Sequence, residues 1–239
     1  MNSGNELLVE RRGALMWVRL NRAEKANALN VSLMESASAA LREAQRDEQV
    51  RAVILSGAGE RVFCAGVDVR EKPADGDMTA HRKRRSHLLA ALLDGILACP
   101  KPVVAALNGI ASGGGAMLAL LADARVAVDT GAISLPEIDL GMPTFSGASI
   151  AMQIGGHALA TDLVQTGRRM PAAEALVRGL VNGVVARAML ETEAARFANM
   201  LAGKDPSAFA ENKRWINRGL LAVLAEARAE HERHRDAAS

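Results

Sequence analysis

The chain has 239 residues, a formal net charge of +2 and 49% hydrophobic residues, which is enough for one large core with a small appendage. Near-neutral charge, 3% aromatic residues and the lack of tyrosine argue against a surface that holds nucleic acid by a basic field or by base stacking. Cys64 and Cys99 lie far apart with no Cys or His at ligand spacing, which argues against a disulfide framework or a metal site and suits small core residues in a reducing, cytoplasmic setting.

In chain order, residues 7–10 and 14–20 are short apolar runs around Arg11-Arg12-Gly13 and predict a hairpin. Asn30 and Ser32 open a helix to about Arg46, with Leu33, Ala37, Ala40 and Leu41 on one face. Residues 51–56 read as a buried strand, and residues 69–80, with Pro73, Asp75, Gly76 and Asp77, as a mobile loop. A helix carrying Leu88, Leu89, Leu92, Leu93, Ile96 and Leu97 then runs to Pro100. Residues 103–107 predict a second buried strand, 108–115 a glycine-rich turn and 116–122 an apolar helix, followed by short strands over 125–128 and 133–135. From Ser146 the pattern is helical, over 147–155, 158–166, 171–178, 187–202 and 206–235. The alternation of strands and helices predicts a layered α/β fold. The polar start has no signal-peptide pattern, and the apolar runs are broken before they reach membrane-spanning length. The basic run His81-Arg82-Lys83-Arg84-Arg85 reads either as a solvated helix start or as a grip on a phosphorylated ligand.

Two backbone features point to chemistry. Gly113-Gly114-Gly115 lies between a buried strand and an apolar helix, where unpaired N–H groups and the positive end of the helix dipole favour negative charge. Phe63-Cys64-Ala65-Gly66-Val67-Asp68 also leaves a strand through a glycine. Two such donors aimed at one oxygen form an oxyanion hole, each donor being worth about 3 kcal/mol in the transition state. No Walker loop, dinucleotide fingerprint or Gly-x-Ser-x-Gly elbow competes with this reading.

Four segments resemble crotonases, the enoyl-CoA hydratase/isomerase family: Leu20-Asn21-Arg22-Ala23-Glu24-Lys25-Ala26-Asn27-Ala28-Leu29, Cys64-Ala65-Gly66-Val67-Asp68, Ala106-Leu107-Asn108-Gly109-Ile110-Ala111-Ser112-Gly113-Gly114-Gly115 and Leu135-Pro136-Glu137-Ile138-Asp139-Leu140-Gly141. Each is weak alone, and their joint order and spacing are specific. The resemblance implies a ClpP-like spiral of ββα units over residues 1–185, and a C-terminal helical region over 186–239 that mediates assembly into a homotrimer or homohexamer. It implies an acyl-CoA substrate, with coenzyme A present only as part of that substrate, no metal or other cofactor, and no nucleic-acid or membrane partner. The N–H groups of Val67 and Gly114 would hold the thioester oxygen, beside Gly66 and Gly113, and Ala65 would lie by the adenine. Lys25, Lys213 and Arg82 to Arg85 are candidate phosphate contacts, while Asp68 and Asp123 are read as structural.

The chain departs from the hydratases at Met117, which stands where they carry the first of two catalytic glutamates, and it keeps the second, Glu137. A thioether cannot orient or deprotonate water. An apolar residue beside one carboxylate is similar to the Δ3,Δ2-enoyl-CoA isomerases of the family, and the resemblance therefore implies Glu137 as the proton shuttle. Phe145 would narrow the acyl end of the pocket; Asp139, if the segment is extended, would share a side with Glu137 as an auxiliary acid, but a helix cap or surface role is favoured over that. Hydration, decarboxylation and silent acyl-CoA binding remain as alternatives.

Overall fold

The computed structural model describes residues 5–237. The ends of the two predicted segments, 1–4 and 238–239, lie outside the described residues. Strands β1 (Leu7–Arg12) and β2 (Leu15–Leu20) form the expected antiparallel hairpin, with Leu7 opposite Leu20 and Arg12 opposite Leu15. Helix α1 (Val31–Arg46) starts where Asn30 places its side-chain oxygen 2.9 Å from the Leu33 N–H, satisfying one of the free donors of the first turn.

Three strand–strand–helix turns follow. The first comprises β3 (Ala52–Gly57), β4 (Val62–Cys64) and α2 (Met78–Ala98). The second comprises β5 (Val103–Leu107), β6 (Ile110–Ser112) and α3 (Gly114–Leu120). The third comprises β7 (Ala124–Val128), β8 (Ala132–Ser134), a 3-10 turn over Pro136–Leu140 and α4 (Phe145–Thr166). The chain continues through β9 (Met170–Pro171), α5 (Ala172–Val177), β10 (Gly183–Val185), α6 (Leu190–Ala202) and α7 (Pro206–Ala237).

The first strand of each turn enters a six-stranded sheet, ordered β1-β2-β3-β5-β7-β10, and the second enters a four-stranded sheet, ordered β4-β6-β8-β9. Among the described residues only the β1–β2 and β8–β9 pairs are antiparallel. Strands β3 and β5 are buried throughout because both faces of the large sheet are covered. Their alternate residues divide between two cores. Val53, Leu55, Val103, Ala105 and Leu107 face α1, α2 and α3, whereas Ala52, Ile54, Val104 and Ala106 face Leu190, Ala194 and Ala198 of α6. The predicted boundary at residue 185 falls at the end of β10.

Several local expectations need correction. The predicted loop over 69–80 ends early, because Asp77 caps α2 by accepting from the Thr79 and Ala80 N–H groups. The glycine-rich turn contains strand β6, whose three residues pair with β4 and β8 and are too short to show alternation. Strands β9 and β10 escaped notice for the same reason. By contrast, the two helices predicted over 147–155 and 158–166 are present as the two segments of α4, separated at non-helical Gly156, where φ is 76°. The helix predicted over 171–178 is shorter, with Met170–Pro171 in β9, and the one over 187–202 opens as a 3-10 turn at Arg187–Met189.

Gly95 offers a clean test of α2. A Cβ there would meet only the Leu41 Cδ1, at an ordinary 3.6 Å. Gly95→Ala is therefore expected to stabilise the fold by about 0.5–1 kcal/mol through the backbone entropy of the unfolded chain, read as a higher urea midpoint at unchanged slope.

Candidate active site

The site is assembled by backbone. The Gly66 carbonyl accepts the Leu29 N–H at 2.8 Å, and the Asp68 N–H donates to the Leu29 carbonyl at 2.9 Å, an isolated parallel bridge between residues 29 and 67. The Val67 N–H belongs to the same peptide plane as the Gly66 carbonyl and points the opposite way, away from Leu29. The Gly113 carbonyl accepts the Met117 N–H at 3.0 Å, which fixes the peptide plane bearing the Gly114 N–H at the first residue of α3. Both N–H groups thus sit on peptides whose carbonyls are already hydrogen-bonded, which polarises them as donors.

Close approach explains the glycines. A Cβ on Gly66, where φ is 93°, would lie 3.1 Å from the Gly114 nitrogen and 3.0 Å from the Ser112 carbonyl oxygen. The position of a Gly114 Cβ is 3.6 Å from the Val67 nitrogen, so the two predicted donors are neighbours in space although 47 residues apart in sequence. A Cβ on Gly115 would fall 2.3 Å from the Cys64 carbonyl oxygen, so α3 seats directly on β4.

Glu137 reaches this locus from the 3-10 turn after β8. A Gly113 Cβ would lie 3.2 Å from its Oε1. Its Oε2 is buried and, among the described residues, accepts no hydrogen bond. Burial raises its pKa above the usual carboxylate range, while its own backbone N–H and the Thr144 hydroxyl pull it back in part. Met117 is buried, and its methyl comes within 3.0 Å of where a Gly147 Cβ would be, next to Thr144 Oγ1 at 2.5 Å from the same point. The thioether and the Glu137–Thr144 pair therefore border one space. The Cys64 thiol is buried and pushed up to about 12, which removes it as a nucleophile near neutrality.

Other predicted residues fall in different places. Lys25 and Ala65 are both exposed and share one rim, because the Ala65 N–H donates to the Ala26 carbonyl at 3.0 Å. Phe145 opens α4, against His231 and His234 of α7. Lys213 is corrected: it is 4% exposed and bonded to Asp123 at 2.6 Å, so its ammonium is already committed and does not face a ligand. Asp139 is exposed, as the cap or surface reading expects, and the auxiliary-acid alternative falls away. The segment is a 3-10 turn rather than extended, and Asp139 faces Gly167 at the end of α4, its Oδ2 2.9 Å from a Cβ placed there. In the basic run, Arg84 pairs with Glu35 at 2.7 Å and Arg85 donates to the Asp68 carbonyl at 2.6 Å, while Arg82 and Lys83 are exposed.

Removing Lys213 leaves the Asp123 carboxylate buried without its cation, and burial already raises the pKa of that group. Lys213→Ala is expected to cost about 3 kcal/mol of stability by chemical denaturation, as for other broken buried pairs. A loss below about 1 kcal/mol would show that the pair is solvated.

Sequence reasoning missed three supports. Asn27 donates to the Ala58 and Val62 carbonyls, each at 2.9 Å, and Asn108 accepts the Gly57 N–H at 3.0 Å and donates to Gly59 at 2.8 Å. Together they clamp the turn that aims β4 at the site. Thr144 is the third, as the hydroxyl on Glu137. The available signal was polar amides flanking apolar strands, which must find buried partners.

A profile of the family described as Enoyl-CoA hydratase/isomerase matches residues 10–237. The short-chain-enoyl-CoA hydratase of Clostridium acetobutylicum is 35% identical over 218 residues, covering 90% of this chain and 82% of that protein. The carnitinyl-CoA dehydratase of Escherichia coli K12 is 37% identical over 208 residues, covering 87% and 78%. The crystal structure of an enoyl-CoA hydratase from Bacillus anthracis superposes with a TM-score of 0.84 at 31% identity, covering 96% of this chain and 90% of that one. With its α/β crotonase fold and a family match over residues 10–237, the chain belongs to the enoyl-CoA hydratase/isomerase family.

Proposed function

We propose that the chain is a Δ3,Δ2-enoyl-CoA isomerase in which Glu137 moves a proton from C2 to C4 of a 3-enoyl thioester. The carrying observation is the half-buried Glu137 carboxylate, with one buried oxygen unpartnered among the described residues, near the Val67 and Gly114 backbone N–H groups and an apolar Met117. Glu137 takes the C2 proton, and the electron pair delocalises onto the thioester oxygen, which the Val67 and Gly114 N–H groups hold. The dienolate then collapses by taking the same proton back at C4, leaving the 2-enoyl ester with no water consumed. Gly66 and Gly113 keep the backbone close to the thioester. The adenine and phosphates of coenzyme A would lie along the rim of Ala65, Lys25 and the exposed Arg82 and Lys83.

Hydration is the second reading, favoured by the name of the Clostridium relative, a short-chain-enoyl-CoA hydratase. The two differ in a simple assay. An isomerase turns 3-hexenoyl-CoA into a conjugated ester and gains ultraviolet absorbance, whereas a hydratase removes the absorbance of crotonyl-CoA. Isomerisation is expected to exceed hydration by at least about tenfold in kcat/KM, and the reverse order would overturn the proposal.

A further inference from the structure

Helix α7 packs along α4 and α2 through a stripe at helical spacing, with Leu220, Leu224 and Ala227 buried. The next positions of that stripe are His231 and His234. Where helix geometry asks for apolar side chains, the chain places two imidazoles. Both rings stand edge-on to Phe145, with centroids 6.2 Å and 5.9 Å away respectively. Phe145 follows Thr144, whose hydroxyl lowers the Glu137 pKa, and precedes by two residues Gly147, against which the Met117 methyl lies. The last turns of α7 therefore adjoin the wall of the site that carries the catalytic carboxylate.

The charges there are predominantly basic. His231 is half-buried and its pKa is lowered by burial first, then by Arg235 and His234, with Glu232 opposing. The nearby acids are engaged elsewhere: Glu232 faces His87 at 3.3 Å, Glu230 pairs with Arg233, and Asp94 of α2 holds Arg228 at 2.7 Å. His234 is exposed, so its ring is open to a ligand. The two rings meet this wall through Phe145, next to Thr144 in the chain.

We propose that His231 and His234 bind a terminal carboxylate, so that the preferred substrates are short acyl thioesters carrying an ω-carboxyl group. Imidazole N–H groups donate well to carboxylate, and a carboxylate among basic groups favours the charged ring. The inference rests on the acyl-thioester reading of the site, and not on which reaction follows.

The test is calorimetric binding of adipoyl-CoA and hexanoyl-CoA to the full chain. These saturated esters have equal chain length and undergo no double-bond shift. Adipoyl-CoA is expected to bind about tenfold more tightly. His231→Ala combined with His234→Ala should bring the two within about twofold of each other, while hexanoyl-CoA binding holds. His234→Ala alone, at an exposed position, should cut the preference at least by half if the double variant does not fold. Equal binding to the unaltered chain, or a preference that survives the substitutions, overturns the proposal. Preference without turnover of 3-hexenoyl-CoA sinks the isomerase reading alone, and turnover without preference sinks the carboxylate site alone.

Discussion

Glu137→Gln is expected to lower kcat for the 3-enoyl to 2-enoyl shift by about 10²- to 10⁴-fold with little change in KM, because it removes the carboxylate that lies against Gly113 while keeping the backbone geometry. A fall of less than about tenfold would place the proton transfer elsewhere. The pH profile carries the same information. Glu137 accepts the C2 proton only when ionised, and burial raises its pKa. Activity should therefore be lost as pH falls through that raised value, so the acid limb lies above the range of an ordinary exposed glutamate. In Glu137→Gln any residual rate should lose that limb.

The stability sign runs the other way. A carboxyl whose pKa is raised on folding destabilises the ionised protein at pH above the folded value, and that cost disappears as pH falls through it. Near neutrality, Glu137→Gln should leave the melting temperature unchanged or raise it. Lost turnover with a retained melting temperature separates chemistry from unfolding.

Much of this arrangement was legible in the sequence because it rests on glycine and on periodicity. Buried runs such as Ala52-Val53-Ile54-Leu55 can pack only as covered strands, and the spacing of Leu92, Leu93, Ile96 and Leu97 fits only a helix face. Gly66 and Gly113 stand where positive φ and close backbone contact coincide, and the glycines alone singled out both loops. What could not be read has a common cause. Strands β6, β9 and β10 have three residues or fewer, and their pairing is decided by partners distant in the chain. Lys213 looked like a free tail cation because nothing local shows that Asp123, 90 residues away, lies against it. For Asp139 only the auxiliary-acid alternative falls, because an extended segment and a 3-10 turn send residues i and i+2 in different directions, and Pro136 with Gly141 closes the turn. Phe145 could be placed near the acyl end by resemblance, but its contact with two histidines of the last helix depends on how α7 lies across α4.

Gly115→Ala should test whether the oxyanion donors are positioned by packing of α3 on β4. The new Cβ would lie 2.3 Å from the Cys64 carbonyl oxygen, 2.6 Å from its Cβ and 2.8 Å from its carbonyl carbon. These atoms belong to a buried strand and cannot yield as a flexible side chain would, so α3 must move away. We expect about 1–3 kcal/mol of destabilisation from overpacking. The movement also shifts the Gly114 N–H, the adjacent residue, relative to Val67, and loss of one donor from such a pair lowers kcat by about 10²- to 10³-fold. KM should rise less, because the donors act most strongly on the dienolate. Gly95→Ala is the control: it adds the same methyl group at ordinary contact distance, away from the site, and should leave kcat unchanged. If Gly115→Ala keeps full kcat in the folded protein, the donors are held by the Leu29–Gly66 bridge and the Gly113–Met117 bond without help from the packing of α3 on Cys64.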